Sequence, residues 1–148
     1  MEENLDYLDQ LFSLEMPDIR SYSSLTLAYI GDAIYELVIR TILVKRGNKQ
    51  VNKLHKEAAG LVKAKAQSAM VIGLLPLLSP KEVGVYKRGR NAKSFTKAKN
   101  ASVMEYRHAT GFEALMGYLY LTGQSKRMMD LIYQGMPFVE EEKKDWHN

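Results

Sequence analysis

The chain has 148 residues, enough for one domain with a sizeable core and too few for a second. It contains no cysteine, which excludes disulfides and thiolate metal sites and points to a reducing compartment. Its formal charge is +4, and the acidic start MEENLDYLDQ lacks the apolar core of a secretory signal. No apolar run is long enough to span a bilayer, so the expectation is a soluble, cytoplasmic protein without a membrane partner.

Residues 1–20 are acidic with scattered Leu and Phe, and Pro17 interrupts any continuous helix, so this part reads as an arm or a short first helix. The run LTLAYIGDAIYELVIRTILVKR at residues 25–46 reads as one long helix. Ser23 or Ser24 can cap its start, and Gly47 suits its end. Apolar residues lie nearly all round this run, as in a helix buried in a core. Gly31 and Asp32 are out of place there: glycine costs roughly 1 kcal/mol against alanine in a helix interior, and a buried carboxylate needs a partner or a metal.

Beyond a turn at Gly47 and Asn48, Asn52 can cap a helix running to about Met70, weakened by Gly60 at its middle. Ser79 and Pro80 start another in N-cap and N1 style, and it should end near Arg88. Residues 89–101 are expected as a basic loop. The run 102–122, SVMEYRHATGFEALMGYLYLT, is a second helix that is apolar round most of its circumference, with Glu113 set between Gly111 and Gly117. Residues 125–134 make a last amphipathic helix, followed by a polar tail expected to fray. No alternating strand pattern, repeat or low-complexity tract is present, so the fold class is all-α.

The positive charge is local. No acid lies between Glu82 and Glu105, while Lys87, Arg88, Arg90, Lys93, Lys97 and Lys99 do. Without those six, 15 basic face 17 acidic residues, a net of −2. Such a run is often only a solvated face. Here Asn91 and Ser94 add hydrogen-bonding groups suited to phosphates and sugars, so the stretch reads as an electrostatic footprint for nucleic acid.

The motif GDAIYE at residues 31–36 and FEALMGYLYL at 112–121 resemble the two catalytic motifs of the ribonuclease III endonuclease domain in wording, order and separation. LAYIGDAIYE, KRGRNAKS at residues 87–94 and YRHATGFEALMGYLYL are together similar to the Mini-III branch, which lacks a double-stranded-RNA-binding domain. The resemblance covers about residues 25–135. It implies an all-α helical bundle with an acidic arm over residues 1–20, a catalytic domain over 21–137 and a tail over 138–148. The implied activity is metal-dependent hydrolysis of double-stranded RNA, with precursor 23S ribosomal RNA of the large subunit as substrate. Asp32 and Glu113 would be the catalytic and Mg²⁺-binding acids. Lys87, Arg88, Arg90, Asn91, Lys93, Ser94, Lys97 and Lys99 would touch RNA.

The larger family carries further acids four residues before the GDA aspartate and three before the FEA glutamate. Here those places hold Ala28 and Thr110, so Asp32 and Glu113 stand as the carboxylate complement of the site. Glu36 and Glu57 are weaker candidates, each with a basic residue four away, Arg40 and Lys53. The resemblance also implies a homodimer in which Tyr29 reaches the partner subunit, and it leaves room for association with a ribosomal protein or the pre-ribosome. His108 reads as structural. The rival reading is a non-catalytic RNA-binding or ribosome-associated module on the same fold.

Overall fold

The computed structural model describes residues 1–15, 18–92 and 102–145. Its regular elements there are α1 (Glu2–Phe12), α2 (Ser24–Lys45), α3 (Val51–Val62), α4 (Ala64–Leu74), α5 (Pro80–Asn91), α6 (Val103–Leu121) and α7 (Ser125–Asp145), with 3-10 turns at Ile19–Ser21 and Leu75–Leu77. The described residues contain no strand, so the fold is all-α. No single helix among them is long and apolar enough to cross a membrane.

Serines set the starts of the helices that matter most. The Ser23 hydroxyl accepts from the Thr26 amide and opens α2. Ser79 with Glu82 and Ser102 with Glu105 form reciprocal capping boxes at the starts of α5 and α6. The apolar surround of α6 then explains its place: α2, α5 and α4 pack against it, and α7 covers α4. The core runs through Tyr35, Ile39, Met70, Leu74, Phe112, Leu115, Met116, Leu119 and Leu131, all essentially without solvent contact. Each such large side chain contributes about 1.5–3 kcal/mol of transfer free energy.

Three element boundaries differ from the sequence expectation, each for a packing reason. The helix expected from Asn52 to Met70 is two helices. Lys63 adopts an extended conformation between them, and their directions differ by 46°. The carbonyls freed at the end of α3 find side-chain donors: the Tyr35 hydroxyl reaches Leu61 O at 2.8 Å, and Gln67 Nε2 reaches Val62 O at 2.8 Å. Gln50, rather than Asn52, stands at the start of α3.

Helix α5 continues past Arg88 to Asn91, so the first part of the basic stretch is helical rather than loop. Gly89 lies against α6, where an added Cβ would stand 2.8 Å from Ala114 Cβ and 2.9 Å from Gly111 Cα, so the packing holds this last turn. Helix α7 runs to Asp145 through Pro137 instead of stopping near Gln134. Val139 is fully buried and Phe138 lies on Gly73, which carries the helix across residues that look polar in sequence.

Candidate active site

Gly31 and Gly117 let two backbones touch. A Cβ on Gly31 would overlap the carbonyl oxygen of Glu113, and a Cβ on Gly117 would overlap that of Leu27. Helices α2 and α6 therefore cross at the closest distance the chain permits, and no other residue fits at either glycine. One turn along, Tyr35 and Phe112 meet edge to face with ring centroids 5.1 Å apart, which fixes the rotation of the helices about the crossing. The glycine that looks unfavourable in the sequence of α2 is what brings α2 up to Glu113.

Asp32, next to Gly31, lies beside Glu113 within hydrogen-bonding reach. The two acids differ in setting. Asp32 is exposed, contrary to the expectation of a buried carboxylate; it sits on the edge of α2 while the core-facing positions are Gly31, Ile34 and Tyr35. Glu113 is half-buried. Burial pushes the Glu113 carboxyl up to about 9, helped by its hydrogen bond with Asp32 and the negative charge there, while a hydrogen bond from Gln67 acts the other way. Without a cation, then, Glu113 holds its proton at neutral pH.

A doubly charged cation would relieve this pair, and the chemistry of the donor set says which kind it would suit. Among the described residues no group of three or more His, Cys, Asp or Glu side chains gathers to hold a metal. Two carboxylates on rigid helices, one of them open to solvent, suit Mg²⁺, which keeps several waters and accepts substrate phosphate oxygens. They do not suit zinc, which takes three or four nitrogen or sulfur ligands. Ala28 and Thr110 are buried and add no carboxylate, and the Thr110 hydroxyl donates to Tyr106 O at 3.0 Å. Glu36 pairs with Arg40 at 2.7 Å, and Glu57 pairs with Lys49 at 2.8 Å rather than with Lys53. His108 faces Ser68, with Nδ1 2.9 Å from the hydroxyl, and burial lowers its pKa.

Gln67 escaped the sequence reading. It is 2% exposed, touches Glu113, and its Oε1 has no hydrogen-bond partner. A buried unpaired acceptor costs about 1–3 kcal/mol. The signal in the sequence was slight, an amide in the run at residues 64–74, which is otherwise small or apolar apart from Lys65.

The basic residues divide. Lys87, Arg88 and Asn91 are exposed on the last turns of α5. Arg90 is half-buried, lies over the Tyr86 ring with its guanidinium carbon 5.7 Å from the centroid, and donates to Asn91 at 3.1 Å. Lys93, Ser94, Lys97 and Lys99 lie outside the described residues. Arg88 also lines a groove with Arg20 and Lys81, which extends positive charge toward the start of α2. Tyr29 is 80% exposed, so it is not a core aromatic. With Leu25, Leu37 and Val44 it forms an exposed apolar stripe on the outer face of α2, and Tyr133 of α7 is 81% exposed beside the same apolar groove as Leu37.

Comparison with known proteins gives a consistent result. Residues 25–124 match the family model described as "Ribonuclease III domain". The Mini-ribonuclease 3 of Thermoanaerobacter sp. (strain X514) is 45% identical over 142 residues, covering 95% of this chain and all of that protein. The Mini-ribonuclease 3 of Enterococcus faecalis is 52% identical over 119 residues, covering 79% of this chain and 90% of the relative. A crystal structure of a protein from Fusobacterium nucleatum superposes with a TM-score of 0.72 at 36% identity, over 80% of this chain and 94% of that one.

Proposed function

This chain belongs to the ribonuclease III family and is an endoribonuclease of that type, and from this premise we propose that it cuts double-stranded RNA with Mg²⁺ held by Asp32 and Glu113. The observation that carries the reading is the meeting of those two carboxylates at a glycine crossing, with no cationic side chain among the described residues that lowers the Glu113 pKa. When bound, the ion supplies a positive charge that polarises the scissile phosphate and makes a water more acidic. The protein's part is placement. Gly31 and Gly117 fix both acids on packed helices, so their carboxylates need no reorganisation when substrate arrives. Asp32, exposed, and Glu113, half-buried beside it, would hold the ion together, and a bound cation would favour the ionised form of both.

Lys87, Arg88, Arg90 and Asn91 supply the RNA-binding surface, continued by Lys93, Ser94, Lys97 and Lys99. Duplex RNA is recognised chiefly by shape, phosphates and 2′-hydroxyls, so a basic edge of this kind suffices without an appended binding domain. The exposed stripe of Leu25, Tyr29, Leu37 and Val44 supports a homodimer, with each of two sites cutting one strand. The substrate proposed from the Mini-III resemblance is precursor 23S ribosomal RNA in the cytoplasm, with the pre-ribosome or a ribosomal protein as an associated partner.

Purified protein incubated with duplex RNA tests this. Both strands should be cut in Mg²⁺ and neither in chelator. Binding without any cleavage in Mg²⁺ would make the protein an RNA-binding module instead.

A further inference from the structure

The buried amide of Gln67 lies between two features of the fold, the break between α3 and α4 and the acid on α6. Its Nε2 lies 2.8 Å from Val62 O. A carbonyl oxygen only accepts, so the atom facing it is the nitrogen, and the orientation of the amide is settled. That nitrogen carries a second hydrogen, and the Glu113 carboxyl lies close enough for Gln67 to act on it and hold its pKa down. The amide oxygen is left without a partner in a residue that is 2% exposed. A methionine or leucine would fill the same space without the unpaired oxygen, though it would leave the Val62 carbonyl without its side-chain donor, so filling the core does not by itself call for an amide here.

We propose that Gln67 is a positioning residue: anchored on Val62 O, it donates a hydrogen bond to the Glu113 carboxylate and holds that carboxylate in place beside Asp32. The extended conformation of Lys63 thereby acquires a use, since it frees the Val62 carbonyl that anchors the amide. The hydrogen bond favours the ionised carboxylate, opposing burial and the charge of Asp32. Groups that orient a metal-binding carboxylate in this way affect both affinity for the ion and turnover. The inference rests on the reading of Asp32 and Glu113 as cation ligands.

The test uses RNA-free protein titrated with Mn²⁺ as a probe, followed by calorimetry, on wild type, Gln67→Met, Gln67→Leu and Asp32→Asn. Gln67→Met should bind the ion about 10–100-fold more weakly. Its melting temperature should fall only modestly, because removal of the orphaned oxygen offsets loss of the hydrogen bond to the Val62 carbonyl. On duplex RNA its kcat should fall while KM stays unchanged, a split that a packing role does not produce. Gln67→Leu repeats the measurement should the methionine variant misfold; if neither folds, Gln67 is part of the scaffold and the proposal falls. Wild-type ion binding in Gln67→Met, with weakened binding in Asp32→Asn, overturns the role of Gln67 and leaves the metal site standing. Wild-type ion binding in Asp32→Asn sinks the metal site and this inference with it.

Discussion

At the α2–α6 crossing, backbone lies against backbone at Gly31 and Gly117; at the last turns of α5, Lys87 and Arg88 are exposed. Both regions depend on α6, and both use glycine to approach it, Gly31 from α2 and Gly89 from α5. What they present differs. The crossing presents two acids carried on packed helices, the kind of fixed placement that the proposed chemistry on one phosphate would need. The end of α5 presents long cationic side chains on a fixed helix but free to move, which suits phosphates whose positions vary along a duplex. On the proposed function, placement is rigid where the bond would be broken and loose where the backbone of the substrate would be held.

Glycine substitutions break this contrast most sharply. Gly31→Ala drives a Cβ into the Glu113 carbonyl, which no rotamer change relieves. The expected loss is at or beyond the top of the about 1–3 kcal/mol usual for overpacking. For a chain of this size that lowers the melting temperature by roughly 6–12 °C. A melt within a degree of wild type would mean that the helices can part without cost, and the rigid half of the comparison would be lost.

The next effect concerns how the start of α5 is held. Arg127 of α7 clasps Glu82 through contacts of 2.8 and 2.9 Å and also reaches Leu77 O. That guanidinium holds the buried Glu82 carboxyl below its usual range. A lowered carboxyl stabilises the fold above its unfolded pKa, near 4.5, and the contribution is lost as pH falls through the folded value. Arg127→Leu should therefore cost about 1.5–3 kcal/mol at pH 7, the range for hydrogen bonds to a charged group. The deficit should shrink as pH falls below about 4.5. A deficit independent of pH would assign it to packing of the arginine stem.

A third effect lies at the far end of the same helix. Arg88→Ala with Arg90→Ala should flatten the salt dependence of RNA binding by up to roughly two units per subunit, at about 0.9 per phosphate released. KM for duplex RNA should rise and Mg²⁺ dependence should stay put, since the acids are elsewhere. An unaltered slope would move the RNA surface to the Lys53–Lys56 side of α3.

The smallest effect is the counterpart of the first. Gly84 sits within α5, where an added Cβ meets only the flexible end of Arg88 at 3.4 Å. Gly84→Ala should stabilise by about 0.4–1 kcal/mol, because alanine loses less freedom on entering a helix. Opposite signs at Gly31 and Gly84 would sharpen the comparison; equal signs would erase it.

These contrasts also show which features the sequence displays. Gly31, Asp32 and Glu113 stood out because each breaks the local preference of an apolar helix, and such breaks concentrate where function or close packing overrides propensity. The exposure of Asp32 did not, because a helix with apolar residues on every side gives no hint of which edge meets solvent. Lys63 was illegible for another reason: the carbonyls its extended conformation frees are taken by Tyr35 from α2 and by the Gln67 amide in the first turn of α4, which no local pattern signals. The full length of α7 was hidden behind charged residues after Val139, although Phe138 and Val139 supply the burial that carries it. Gln67 lay in a run with no motif, and only its neighbours give it meaning.

The central claim is that Asp32 and Glu113 together hold the ion that cuts RNA. Single-turnover cleavage of a duplex in Mg²⁺, with Asp32→Asn and Glu113→Gln beside wild type, tests it directly. Both variants should keep the wild-type melt and bind the duplex normally. Both should lose cleavage by more than the roughly 10²–10³-fold that follows removal of one preorganised electrostatic group. Cleavage by Asp32→Asn at the wild-type rate would contradict the account.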